Sequence, residues 1–332
     1  MSIPQHCRIA GGLVSGGQVS GAIDKHVEAA IALGEAQYRA SDFSEAVKTL
    51  RQAVDQARGI TDASLPWKAS LQLANALQLV REMDEAGLIY DRLLREIREG
   101  RVVVSAPDAA NAQIGSGVLM HKRGMPEAGI ERVDAGIAIL EQSVGENHPS
   151  WTTAVHNRAV LLMAGGDLEG ARDGLSSAVE AWRRLVGPDH VNTLNAMIQL
   201  GDVQRRLGDM DAAQELLKQA VPAVERTLGP STRLTLKGIQ DLAELYAARG
   251  EWPEALAHID RVAQIHTDFS GEDDPRTWYA RAQRVQYAGE AGQAVSVITE
   301  LRAIEREAID RFGSDNRFAR AIRRMRSARE EP

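Results

Sequence analysis

The stretch "LVGPDHVNTLNAMIQLGDVQRRLGDMDAA", residues 185–213, decides the fold of this 332-residue chain. Apolar side chains recur at helical spacing over 194–206 and again over 210–226. Gly208 permits a tight turn between these two segments, and Gly187 followed by Pro188 ends the helix that comes before them. The stretch therefore predicts a pair of helices joined by a short turn, with a longer loop on either side.

Copies of this unit follow one another along the chain. One glycine series falls at residues 124, 166, 208 and 250, and a second falls at 145, 187, 229, 271 and 313, with steps of 42 residues in both. Two interleaved series with the same period indicate an array of helix-pair repeats.

Small residues mark the predicted crossing of the two helices in every unit. The position seven residues before each turn is Gly or Ala, the position five after is also Gly or Ala, and the position nine after is large and apolar. Close antiparallel packing needs this combination, and it extends the array to seven units. The positions before the turns are Gly34, Ala74, Gly117, Ala159, Gly201, Ala243 and Ala282, and those after are Ala46, Ala86, Gly129, Ala171, Ala213, Ala255 and Ala294.

Two details of the repeat are more specific. To keep Ala282 and Ala294 in register, the turn of the seventh unit is placed three residues earlier than the period, and its second helix is predicted to be longer. Asp189, Ser231 and Asp274 follow glycines of the second series and are predicted N-caps of the next helices.

The pattern of small, small and large positions resembles the tetratricopeptide repeat. The 42-residue period and the loop "GPDHVNTL" (187–194) are similar to the kinesin-light-chain subtype, which also occurs in many bacterial signalling proteins. Looser copies are "GENHPSWTTAV" (145–155) and "GEDDPRTW" (271–278), and Ser116, Arg158 and Arg281 stand where the family usually has Leu. The resemblance covers about residues 24–312 and implies an all-α, right-handed superhelix (solenoid) of about seven helix pairs.

The two ends of the chain differ from the array. Residues 1–23 are predicted to be a flexible leader or linker, because the glycine-rich run is too short and too polar for a membrane span of about 20 apolar residues. Residues 313–332 are predicted to form a basic capping helix and tail, with an apolar stripe of Phe318, Ile322 and Met325. The alternative for this arginine-rich end is a site for an anionic partner such as nucleic acid.

Composition and motifs point away from catalysis. The net charge of −7 gives no reason to expect a nucleic-acid or membrane-surface partner, and the single Cys7 fits a reducing, cytoplasmic compartment. The sequence has no phosphate-binding loop, dinucleotide fingerprint, zinc-protease motif or nucleophile elbow. His148 and His190 are 42 residues apart, and the repeat period explains this spacing without a bridging metal ion. We therefore expect no enzymatic activity, no cofactor and no metal.

The resemblance implies where a partner binds, because the first helix of each pair lines the concave groove in this family. Its groove positions carry amides and charges that can hydrogen-bond an extended peptide. The alternative is that polar groups only keep the groove solvated. The Lys/Asn set that clamps a peptide carboxylate in some members is not found. The candidate residues are Asn111, His156, Asn157, Asn195, Gln199, Asp202, Arg205, Lys237, Gln240, Asp241 and Arg276.

These features predict a non-enzymatic scaffold that binds a protein or an extended peptide in its groove. The alternative is a regulatory or sensor module of a bacterial signalling system, whose partner is a kinase, a signalling ATPase or a transcription regulator.

Overall fold

The structure is a computed structural model that describes residues 16–39, 42–60, 62–293 and 296–330. Every regular element within these ranges is an α-helix. The chain divides into two compact units, Met1–Glu146 and Asn147–Pro332.

The first unit contains three helix pairs. In each pair the two helices contact each other, and within the unit the second helix of one pair also contacts the first helix of the next. The helices are α1 (Gly16–Arg39), α2 (Phe43–Gln56), α3 (Ser64–Leu77), α4 (Met83–Arg98), α5 (Ala106–Lys122) and α6 (Pro126–Ser143).

The second unit contains four further pairs and one additional helix. The helices are α7 (Pro149–Gly165), α8 (Leu168–Val186), α9 (Val191–Leu207), α10 (Met210–Leu228), α11 (Arg233–Ala248), α12 (Trp252–Ser270), α13 (Pro275–Glu290), α14 (Val297–Phe312) and α15 (Arg317–Glu330). The all-α architecture of seven helix pairs with a terminal helix is therefore confirmed in the described part of the chain.

The predicted crossings are also confirmed, except in the seventh repeat, where a turn at Gly292 places Val285 and Val297 at the two positions predicted for Ala282 and Ala294. Ala213 is fully buried, and a Cβ atom placed on Gly201 would lie 2.8 Å from Cγ of Leu217. A Cβ atom on Gly117 would lie 2.5 Å from the backbone oxygen of Gly129. The helices approach this closely because neither carries a large side chain at the crossing. Ala294, the last of the predicted small positions, lies outside the described residues.

The long loops repeat one hydrogen-bond pattern, and this pattern corrects two predicted caps. Gly187 adopts a φ of +94° after α8, and the Thr193 hydroxyl donates to its carbonyl oxygen at 2.7 Å. The N-cap of α9 is His190 and not Asp189, and the N-cap of α11 is Thr232 and not Ser231. The caps lie one residue nearer to the helix, because the loop carries the chain past Asp189 before the first helical turn begins. Asp274 is confirmed as the N-cap of α13.

The repeated histidines have a structural role in these loops. Nδ1 of His190 accepts a hydrogen bond from the backbone N–H of Asn192 at 3.2 Å, and Nδ1 of His148 accepts one from Ser150 at 3.2 Å. Each ring thus satisfies a backbone donor at a helix start that has no partner within the helix. Their common position in the repeat is explained by capping.

The prediction for the seventh repeat was wrong by three residues. Its turn lies at Gly292, with a φ of +73°, which follows Gly250 by the regular 42 residues. The position given to the turn, Gly289, lies inside α13, and α14 has 16 residues, fewer than the 18 or 19 of α6, α8, α10 and α12. The residue equivalent to Lys237 is therefore Tyr279 and not Arg276.

The two ends of the array are described in part. Helix α1 begins at Gly16, inside the predicted leader, while residues 1–15 lie outside the described residues. Helix α15 packs on α13 and α14 through Ala319 and Ile322, both fully buried. Among the described residues, none of the helices combines the length and apolar character needed to cross a membrane.

Candidate functional site

The candidate site lies on the face of the second unit formed by α7, α9, α11, α13 and α15. We call it the first-helix face, because it carries the first helix of each pair and the terminal helix. The residues of its central row are 42 apart, so each occupies the same position on its own helix: Asn157, Gln199, Asp241 and Gln283. Asn157 and Gln199 are half-buried, whereas Asp241 and Gln283 are buried.

Five charged residues on α9 and α11 form an ionic cluster at the middle of this face: Asp202, Arg205, Lys237, Asp241 and Glu244. The Arg205 guanidinium lies 2.6 Å from Asp202 and 2.8 Å from Glu244. Lys237 Nζ lies 2.5 and 2.7 Å from the two oxygens of Asp241 and 3.7 Å from Asp202. The cluster therefore joins two successive first helices by ion pairs.

Burial dominates the electrostatics of Asp241. It raises the pKa of this carboxyl to about 7, although Lys237 stabilises the charged form and opposes the change. The carboxylate oxygens of Asp202, Asp241 and Glu244 come within 4.8 Å of one another, a spacing that a cation can bridge. Lys237 and Arg205 supply that positive charge from the protein itself.

A polar pocket, which we call the amide pocket, lies beside the cluster, between α7 and α9. Its volume is about 120 Å³, and it is lined by Thr153, His156, Asn157, Trp182, Asn192 and Asn195. Burial lowers the pKa of His156 to about 4, so the ring is neutral at physiological pH. The ring lies against Gln199, whose amide donates to Oδ1 of Asn195 at 3.0 Å. The pocket offers hydroxyl and amide groups beside an indole ring, which suits one small polar side chain.

Three buried polar atoms of this face have no hydrogen-bond partner among the described residues. They are Oε1 of Gln199, Nε of Arg205 and Oε1 of Gln283. A buried polar group without a partner costs about 1–3 kcal/mol, so each of these atoms needs an ordered water molecule or a ligand group beside it. Two are acceptors and one is a donor, which matches the alternating N–H and C=O groups of a peptide backbone.

Aromatic residues line the other end of the face. Tyr279 of α13 packs against Phe318 of α15 with ring centroids 5.7 Å apart. Burial raises the pKa of Tyr287 to about 12, and the nearby negative charge of Glu244 adds to this effect. The face thus runs from amides on α7 and α9, through the ionic cluster, to tyrosines on α13.

The structure brings together most of the predicted site residues. His156, Asn157, Asn195, Gln199, Asp202, Arg205, Lys237, Gln240 and Asp241 all lie on the first-helix face, and the Gln240 amide donates to Glu244 at 3.3 Å. His156 and Asp241 are buried beneath this face, although the pattern predicted accessible groups. Asn111 is half-buried on α5 and belongs to the first unit.

Arg276 does not join the site. It lies in the first turn of α13, is exposed, and its guanidinium is bound to the carboxylate of Asp274 at 2.5 to 3.0 Å. The sequence reasoning instead missed Gln283, Tyr287, Trp182 and Asn192. Gln283 could have been found from the period, since it follows Asp241 by 42 residues.

Residues 151–226 and 235–276 match the tetratricopeptide repeat family. Both segments lie in the second unit and include the amide pocket and the ionic cluster. No curated protein sequence matches the chain.

Several solved structures share the fold. A Podosopora anserina protein described as a kinesin light chain with nearly identical TPR-like repeats is 20% identical, with a TM-score of 0.53; the match covers 69% of this chain and 100% of that one. The quorum sensor NprR from B. thuringiensis, in its apo form, is 13% identical, with a TM-score of 0.66 over 93% of this chain and 82% of that one. A Rap protein complexed with competence and sporulation factor is 12% identical, with a TM-score of 0.64 over 90% and 80%. At these identities the likeness concerns the fold alone.

Proposed function

We propose that this chain, which is a tetratricopeptide-repeat protein of the kinesin-light-chain type, is a non-enzymatic module that binds an extended peptide on its first-helix face. The amide pocket takes one side chain of the peptide, and the central row holds its backbone. The ionic cluster orders the middle of the face, and the tyrosines of α13 contact the part of the peptide that extends beyond it.

The observation that carries this proposal is the set of unpartnered atoms on Gln199, Arg205 and Gln283. Bulk water hydrates exposed polar groups, whereas these buried atoms need a partner of their own, which a bound peptide backbone can supply in place of ordered water. A small rotation of these side chains toward a bound backbone would give each of them a hydrogen bond.

Simple geometry sets the length of the ligand. Successive first helices lie at least the 8–10 Å of two packed helices apart, and an extended chain rises about 3.3 Å per residue, so one step between them corresponds to at least about three peptide residues. A peptide that reaches from the amide pocket on α7 to the tyrosines on α13 therefore needs at least about nine residues.

Two arguments support a binding function in place of catalysis or nucleic-acid recognition. Of the titratable groups buried on this face, His156 is a weak base with a pKa of about 4, and both carboxylate oxygens of Asp241 are already bound by Lys237. The cations of the ionic cluster are neutralised by carboxylates, which leaves little positive charge for phosphates. The single cysteine fits a reducing compartment, so we propose a role in the cytoplasm.

A regulatory role is the second candidate. The fold resembles that of NprR, a quorum sensor also solved in complex with its cognate peptide NprX, and that match covers 96% of this chain with a TM-score of 0.64. In a sensor, the peptide changes the affinity for a second protein, whereas in a scaffold it does not.

The test is selection of ligands from a library of random nine-residue peptides on the immobilised full-length chain. Selected peptides are then measured against an Asn157→Ala, Asn195→Ala variant. We expect about a tenfold loss of affinity, because two hydrogen bonds of about 0.5–1.5 kcal/mol each are removed.

The matched control is Glu180→Ala with Glu215→Ala, two exposed residues on the outer helices α8 and α10. This control should bind like the wild type. Peptides that bind both variants equally well would place the site elsewhere and refute the proposal.

A further inference from the structure

The first unit has a cleft of its own. Its volume is about 520 Å³, and its walls come from three places: α1, the start of α3, and the segment that leads into α5. It belongs to a different unit from the first-helix face and is independent of the function proposed for that face.

The cleft is strongly acidic. Five carboxylates line it, on Asp24, Glu28, Glu35, Asp62 and Asp108, against a single ammonium on Lys68. Asp62 and Asp108 are used at helix starts, where they bond Ser64 and Ser105. The three carboxylates of α1 have no ion-pair partner within the described ranges.

Two features of the carboxylates on α1 favour a cationic ligand. Asp24 and Glu28 are four residues apart, a spacing at which like charges repel along a helix. Oδ1 of Asp24 is buried and has no hydrogen-bond partner among the described residues. A positively charged ligand removes the repulsion and gives this oxygen a partner.

The cleft also has apolar walls. Ile31 is buried at its base, and Leu65, Val103 and Val104 line its side. The Val103 side chain is 88% exposed, although a valine is usually covered by other residues. Carboxylates and apolar groups line the same opening, so the complementary ligand carries cations and apolar side chains together.

We propose that this acidic cleft of the first unit is a second binding site, and that its ligand is a basic amphipathic peptide segment in which Lys or Arg alternates with aliphatic residues. The cations pair with Glu28, Glu35 and Asp24, and an aliphatic side chain covers Val103. A polyamine or a metal ion would use the carboxylates but would leave the valines exposed.

The test uses fluorescence anisotropy of a labelled peptide, Lys-Leu-Lys-Leu-Lys-Leu, with the full-length protein at low salt. The same length of alternating Glu and Leu, and of alternating Ser and Leu, serves for comparison. We expect saturable binding of the basic peptide alone, which weakens as salt shortens the screening length. Binding of all three peptides with equal affinity would overturn the proposal.

Two variants locate the site. Glu28→Gln with Glu35→Gln should weaken the basic peptide about tenfold, since two partly exposed ion pairs are worth up to about a factor of ten together. The matched control, Asp91→Asn with Glu127→Gln, removes the same charge from exposed positions on α4 and α6 and should bind like the wild type. Equal losses in the two variants would show a net-charge effect only and refute the site.

The variant Val103→Ser distinguishes binding of an amphipathic peptide from binding of a simple polycation. It should weaken the Lys-Leu peptide but leave displacement by spermine unchanged. If spermine competes as well as the peptide at equal charge and Val103→Ser has no effect, the ligand class is wrong.

Discussion

Gly201 is the residue at which α9 comes closest to α10. The space that a side chain would need is taken by Leu217, which is fully buried. The same relation holds between Gly34 and Leu50, where an added Cβ atom would lie 2.6 Å from Cγ. At the scale of single residues, the fold thus needs a glycine or another small residue at each crossing and a large apolar side chain beside it.

We expect Gly201→Leu to lower the free energy of unfolding by about 1–3 kcal/mol, because the crossing becomes overpacked. This corresponds to a fall in melting temperature of about 2–4 °C for each kcal/mol, measurable by calorimetry. The control is Gly165→Ala at the end of α7, where no atom lies within 4 Å of an added Cβ atom. A melting temperature unchanged by Gly201→Leu would contradict the packing.

Asp241 and His156 make opposite contributions to stability as pH changes. The folded protein keeps the Asp241 proton up to about pH 7, whereas the unfolded chain loses it near 3.8, so this group lowers stability as pH rises through that window. The pKa of His156 is about 4 when folded and 6.5 when unfolded, so this group raises stability as pH rises between those values. In the wild type the two effects largely cancel.

Removing either group should therefore reveal the pH dependence of stability that the other group contributes. Between pH 4 and 7, Asp241→Asn should gain stability relative to the wild type and His156→Gln should lose it. Urea unfolding at pH 4.5 and pH 7 measures both variants. Parallel pH profiles for the wild type and Asp241→Asn would show that the carboxyl titrates normally.

At the scale of whole helices, the long loops determine where one helix ends and the next begins. A glycine at positive φ ends one helix, a threonine hydroxyl bonds its carbonyl, and a histidine, threonine or aspartate caps the next helix. His190 performs this function through a ring nitrogen instead of the more common hydroxyl or carboxylate.

We expect His190→Ala to cost about 1 kcal/mol, a typical loss for an N-cap. His190→Asn should restore most of it, because the Asn oxygen can accept the same backbone N–H. Thermal unfolding of the three proteins at one pH decides the matter, and equal stability of the Ala and Asn variants would rule out a capping role.

Helix α15 covers the end of the second unit. Ile322 packs with Leu301 and Trp278, and the buried carboxylate of Glu305 is held by Arg323 and Arg326 at 2.8 and 2.7 Å. Several arginines of this helix therefore have structural partners, which favours the capping interpretation of this segment over a site for an anionic partner.

Ile322→Ala should cost about 2–4 kcal/mol and speed hydrogen exchange in α15 and α14 ahead of α7 to α10, because neighbours in an array are coupled mainly pairwise. Arg320→Ala, an exposed change on the same helix, should leave exchange unaltered. Uniform loss of protection throughout the unit would indicate a single cooperative block.

At the scale of the whole molecule, the period made the fold predictable and the site only partly so. The close approach of two helix backbones requires Gly or Ala at the crossings, so the spacing of these residues can be recognised in the sequence. Asp241 was predicted to be accessible, because nothing in the pattern shows that the Lys237 side chain closes over it. Gln283 was missed because the turn of the seventh repeat was placed three residues early to keep Ala282 and Ala294 in register.

Each compact unit has its own buried core, so each should fold alone. We expect a fragment of residues 147–332 to retain helical circular dichroism and the peptide affinity of the full chain. A fragment that is unfolded, or folded without binding, would show that residues 1–146 are required.

Because the repeats share a common crossing, the number of repeats sets the length of the array. An insertion or deletion of one whole 42-residue unit leaves the crossings inside the other pairs unchanged, because each crossing is built from the small and large positions of a single pair. Such a change alters only how many central-row positions a ligand meets, by at least about three peptide residues per unit. The length of the recognised peptide can thus change during evolution in discrete steps, while the fold of each repeat stays the same.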